Sequence, residues 1–162
     1  MMVKSFLAGA VLFGASLSMA YPAVGDKVEW TGSIAYSNGT SVPVKITKEV
    51  LSYNDTTKKW TVKEDKTVGS TTETDTDEER WMFDSAKYAR VIAECVSKGG
   101  VLEDVTVAGG TFSTCGYTKT DDDETKTKWI GDVPWGVVKS IETDTEDGEV
   151  ETLELSSITL GQ

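Results

Sequence analysis

The chain has 162 residues, 27 of them acidic and 16 basic, giving a formal net charge of −11 with no histidine and two cysteines. That length is one domain's worth, and the charge repels nucleic acid and anionic membrane surfaces. The missing histidine removes the usual general base, the serine–histidine and cysteine–histidine pairs, and most transition-metal sites.

Residues 1–20 read MMVKSFLAGAVLFGASLSMA. Lys4 precedes an apolar run, and small residues Ser18 and Ala20 stand three and one before Tyr21. This pattern predicts a secretory signal peptide cut between Ala20 and Tyr21, leaving 21–162 as a single β-rich domain. The apolar run is too short for a comfortable span, so no stable membrane insertion is expected after cleavage. Tyrosine, not cysteine, follows the cut, so no lipid anchor is expected there. The expected location is periplasmic or secreted.

The first half of the domain reads as strand. Val28, Trp30, Ile34 and Tyr36 alternate with polar residues and predict one buried face. Gly32 in their midst predicts a bend or a closely approaching neighbour. Asn38-Gly39 supplies the positive φ angles of a hairpin turn. Val42, Val44 and Ile46 resume the alternation, which then shifts phase to Leu51 and Tyr53 and predicts a bulge near Lys48. Asn54-Asp55 turns the chain, and Trp60 and Val62 begin a third strand. Residues 69–80, GSTTETDTDEER, have almost no apolar content and read as a long polar hairpin or a loop. Asn38-Gly39-Thr40 and Asn54-Asp55-Thr56 match glycosylation sequons, but both fit turns better.

A helix is predicted over about 84–98. Asp84 is placed to cap it, and Phe83 and Tyr88 have the spacing of a hydrophobic staple. Tyr88, Val91, Ile92, Cys95 and Val96 form one apolar stripe, with Lys87 and Arg90 facing away. Gly99-Gly100 ends it. An even cysteine count in an exported chain predicts a Cys95–Cys115 disulfide. It would close a loop of about 20 residues and stabilise by roughly 3 kcal/mol.

Strands follow at 102–107, 111–119, 126–133, 137–143 and 150–160, joined by short turns. The fold class is mainly β (α+β): an antiparallel curved sheet or half-barrel of about nine or ten strands cupping one helix.

Little catalytic chemistry stands out. Paired carboxylates could hydrolyse a glycoside, with Glu94, Glu103, Asp104 and Asp132 as candidates. Nothing singles out a pair, and an enzyme is not expected. The acidic clusters at 75–78, 121–124 and 144–148 fit solvated hairpin tips better than calcium loops. Gly99-Gly100 and Gly109-Gly110 read as turns, not a phosphate loop. No metal and no cofactor are expected. Trp135, Trp81, Trp129, Tyr88 and Ile92 are the candidate ligand-lining residues. Trp135, between Pro134 and Gly136, would plug one end of the sheet or stand at a mouth.

The segments GGVLEDVTVAGGTFSTC (99–115), GDVPWGVVKS (131–140) and LELSSITLG near the C-terminus resemble those of uncharacterised exported bacterial β-rich proteins. The end pattern also resembles the LolA/LppX-like periplasmic lipoprotein-carrier half-barrels. That resemblance implies an antiparallel half-barrel around a helix, able to hold acyl chains. Two readings follow. One is an exported soluble binding module for a lipid or other apolar small molecule. The other is a structural or interaction domain with a closed core and no ligand. An apolar cavity of about 300 Å3 or more between helix and sheet would favour the first.

Overall fold

The computed structural model describes residues 21–80 and 82–161. The predicted signal peptide and Trp81 lie outside the described residues. Among them, nine strands form one antiparallel sheet: β1 (Lys27–Ala35), β2 (Ser41–Asn54), β3 (Lys59–Val68), β4 (Thr71–Glu79), β5 (Val101–Val107), β6 (Gly110–Thr120), β7 (Glu124–Ile130), β8 (Val137–Asp144) and β9 (Val150–Thr159). Their order is β4-β3-β2-β1-β9-β8-β7-β6-β5. The chain walks from the centre out to β4 by hairpins. It then crosses to the opposite edge through helix α1 (Ser85–Glu94) and walks back until β9 pairs with β1. The segment carrying the helix therefore ties together the two edges of an open sheet.

The sheet curls. Gly109, in the β5–β6 turn, donates its backbone N–H to the carbonyl of Leu155 on β9 at 3.0 Å. Three strands separate β5 from β9 in the pairing order, so a half-barrel curvature is needed for the two to meet.

Register places the core. Trp30 lies opposite Ile46 on β2 and Leu155 on β9, and Gly32 opposite Val44 and Leu153. These apolar positions share a face because side chains alternate along a strand. Val28, Trp30, Ile34, Val44, Val138 and Leu155 belong to the main buried cluster. Each such side chain contributes about 1.5–3 kcal/mol by leaving water. The indole N–H of Trp30 donates to the Val137 carbonyl at 2.8 Å. Gly32 meets the close neighbour its sequence position predicts: an added Cβ would stand 1.7 Å from the Thr152 carbonyl oxygen.

The predicted bulge moves, and the polar segment takes the hairpin alternative. The register slips between Val50 and Ser52 rather than near Lys48. Val50 is consequently buried, while Leu51 and Tyr53 are 42% and 38% exposed. Residues 71–79 are a true strand at the sheet edge. Thr67 and Thr72 hydroxyls meet at 2.9 Å, and Thr74 donates to Asp65 at 2.6 Å. Glu73, Asp75, Asp77 and Glu79 alternate with those threonines. An edge strand with charges on it resists pairing with other chains.

The helix starts where predicted. The Asp84 carboxylate accepts the Lys87 backbone N–H at 2.7 Å. Cys95 is its C-cap, a 3-10 turn covers Val96–Lys98, and Gly99 turns left-handed at φ 81°. Val96 departs from the expected stripe and is 70% exposed. The tighter 3-10 turn rotates it away from the α-helical phase.

Candidate functional site

The helix is held against β6 at two points. Cys95 and Cys115 are disulfide-bonded, with Cα atoms 5.8 Å apart, and both are fully buried. A Cβ on Gly100 would stand 2.6 and 2.8 Å from the two sulfurs, so the chain leaving the helix must be glycine there. Tyr88 Oη donates to the Ser113 carbonyl at 2.9 Å. Burial, then the nearby charges of Asp132 and Asp104, push that phenol above its usual range.

No residue of α1 is fully buried. Tyr88, Val91 and Ile92 are half-buried, and a groove runs beside the helix next to each of Val91 and Ile92. The first groove, about 330 Å3, has Phe83, Val91 and Tyr117 as its apolar surface and Lys87, Arg90, Glu94 and Lys98 around it. The second, about 340 Å3, is lined by Ile92, Leu102, Glu103, Asp104, Ser113 and Thr114. Both fall at the lower end of the size range of small-molecule sites. Two further grooves, about 440 and 130 Å3, run over β3 and β4 and are rich in carboxylates, among them Glu64, Asp75 and Asp77.

The corner between β7 and β8 holds Trp135. Val133 and Pro134 are buried, and Gly136 donates back to the Val133 carbonyl at 2.9 Å. Trp135 has φ 60° and Gly136 φ 77°. A Cβ on Gly136 would meet the Phe83 ring at 3.0 Å, which links the corner to the start of the helix segment. The Trp135 ring packs against the main cluster and also against Val50, Val62 and Met82. Its indole N–H is buried without a hydrogen-bond partner. Three residues before Trp135 in the chain, Asp132 accepts a hydrogen bond from Tyr21 Oη. Burial first, and then the Asp132 hydrogen bond, push the Tyr21 phenol far above its usual range.

The named candidates therefore separate in space. Ile92 lines a groove, and Tyr88 bonds to Ser113 in the same groove. Trp129 donates to Glu103 at 2.7 Å, and the Lys139 ammonium lies 5.7 Å from its ring centroid. Trp135 sits between the two apolar clusters and lines neither helix groove. The carboxylates considered for glycoside chemistry each have another partner: Lys98 for Glu94, Trp129 for Glu103, Ser113 for Asp104, Tyr21 for Asp132. Among the described residues, no group of three or more cysteines or carboxylates is placed to hold a metal ion. No described helix is long and apolar enough to cross a membrane.

Sequence reasoning missed Arg90 and Lys87 as groove residues, assigning them away from the apolar stripe. Lys87, Val91 and Glu94 recur at four- and three-residue steps on one side of α1, and Arg90 stands four before Glu94.

No protein-family model matches the chain, and no curated protein matches its sequence. Several solved structures are similar to it in shape. An exported protein with a YmcC-like fold from Bacteroides fragilis is 10% identical, with a TM-score of 0.47 over 88% of this chain and 99% of the other. A chain of the Pseudomonas aeruginosa MucA/MucB complex is 14% identical, with a TM-score of 0.45 over 85% of this chain and 52% of the other, so the match spans about half of that chain. A LolA superfamily protein from Nitrosomonas europaea is 10% identical, with a TM-score of 0.33 over 90% of each chain.

Proposed function

We propose that this protein is an exported, non-enzymatic binding module that holds an apolar ligand beside helix α1. The observation that carries this reading is the seating of the helix. A packed structural helix buries its apolar stripe, yet α1 buries none of its residues fully and leaves grooves beside Val91 and Ile92. Burying half-exposed Val91 and Ile92 further would release apolar surface from water at about 25 cal/mol per Å2. A ligand chain laid along the helix does this without unfolding the domain.

Native mass spectrometry of protein purified from its own export compartment is expected to retain bound mass. The neutral probe N-phenyl-1-naphthylamine is expected to brighten on binding, and Val91→Asp to weaken that binding by about tenfold with little change in denaturation midpoint. Absence of both bound mass and probe binding would reject the reading.

The interaction reading has its own observation. Val96, Val101 and Leu102 are 70%, 61% and 48% exposed, and the last two open the edge strand β5. The opposite edge, β4, has no apolar residue at all. A partner adding a strand at β5 would slow hydrogen exchange of the Val101–Asp104 amides. On this reading the slowing appears in compartment extract, is absent in buffer, and is removed by Leu102→Lys.

A further inference from the structure

Among the described residues, the groove beside Val91 is dominated by cations, unlike the three other grooves described above. It has Lys87, Arg90 and Lys98 against the single carboxylate of Glu94. The other three contain two or more carboxylates each and at most one lysine. In a chain of net charge −11 this is a local inversion of sign. Two of the three cations make ion pairs, Lys98 with Glu94 at 2.5 Å and Lys87 with Asp84 at 4.0 Å, while Arg90 acts on the Glu94 carboxylate only at longer range. Arg90 is exposed and makes no salt bridge among the described residues.

We infer that this groove binds a single-chain amphiphile with a carboxylate head, the chain against Phe83, Val91 and Tyr117 and the head on Arg90. This deepens the proposed function and rests on it. The surface fits both halves of such a molecule. Apolar side chains form one part of the groove, and a guanidinium stands on the same helix next to Val91. Arginine presents paired N–H donors in the geometry a carboxylate accepts. The strongly negative remainder of the protein would repel that head elsewhere, so the charge pattern directs the ligand to this groove. A cationic amphiphile would be drawn instead toward the carboxylates over β3 and β4.

Isothermal titration calorimetry with three twelve-carbon probes, each below its micelle concentration, tests the assignment. Dodecanoate carries the carboxylate, dodecyl maltoside a neutral head, and dodecyltrimethylammonium a cationic one. Dodecanoate is expected to bind the wild type best, and more weakly as salt rises. Arg90→Gln is expected to weaken dodecanoate by about tenfold and leave dodecyl maltoside within about twofold, with Arg90→Lys intermediate. If dodecanoate and dodecyl maltoside both bind and Arg90→Gln weakens neither, the carboxylate assignment falls and the apolar-ligand reading stands. Equal or tighter binding of dodecyltrimethylammonium in this groove, judged by its sensitivity to Val91→Asp, overturns the assignment too. If none of the three probes binds, both fall.

Discussion

Replacing Trp135 by alanine is expected to destabilise the protein by about 3–5 kcal/mol, measured by denaturant unfolding. The ring touches both apolar clusters, so its loss leaves a void between Val50, Val62 and Met82 on one side and the main core on the other. Two companion substitutions separate the causes. Trp135→Phe keeps most of the ring and removes the buried, unpartnered indole N–H. An unpaired buried donor costs about 1–3 kcal/mol, so this variant should stay within about 1 kcal/mol of wild type despite its smaller area. Trp135→Gly loses the same ring as alanine but accepts φ 60° freely. It should be less damaging than alanine by about 1 kcal/mol. Probe binding at the helix grooves should be unchanged in Trp135→Phe, because Trp135 lines neither groove. A Trp135→Ala protein as stable as wild type would show that the corner is a surface turn. A Trp135→Phe protein that keeps its stability but loses probe binding would move the ligand to this end of the sheet.

Much of the architecture was legible because it follows from local rules. Asp84 marks the start of the helix by its chemistry, and it holds; Gly99 ends the 3-10 turn that follows α1, while α1 itself stops at Cys95. Gly32 marks close backbone approach, and Thr152 is there. Legibility failed where apolar periodicity had nothing to report. Strand β4 has no buried face, so its only strand signal is the alternation of Thr72, Thr74 and Thr76 with acids. The slip at Leu51 is one residue wide, and the sequence alone allowed several positions for it. Extending α-helical phase past Cys95 puts Val96 on the stripe, but the backbone has already tightened into a 3-10 turn there. The grooves were the least legible feature. They depend on how far the helix stands off the sheet, which no side-chain pattern encodes. The position of Trp135 between two clusters depends likewise on strands distant in sequence meeting at one corner.

Removing the disulfide is expected to cost about 3 kcal/mol and to loosen the helix before the sheet. The loop between Cys95 and Cys115 spans 20 residues, and opening it returns conformational freedom chiefly to the unfolded chain. The double substitution Cys95→Ala with Cys115→Ala is the cleaner test, since a single serine would leave a buried thiol. The local effect follows from how α1 is seated. Without the bond, the helix keeps the Tyr88–Ser113 hydrogen bond and a half-buried stripe, and none of its own residues is fully buried. Strands β1, β2 and β9 keep Val28, Trp30, Val44 and Leu155 in the core whatever happens at the helix. Hydrogen exchange should therefore lose protection first at the α1 amides, while the β1 and β9 amides change only by the global loss of stability. Uniform loss across helix and sheet would mean that the helix is integral to the core. An unchanged midpoint with unchanged helix exchange would mean that the bond restrains nothing. If the helix loosens as expected, probe binding beside Val91 should weaken in the same protein, because that groove exists only while α1 stays on β6.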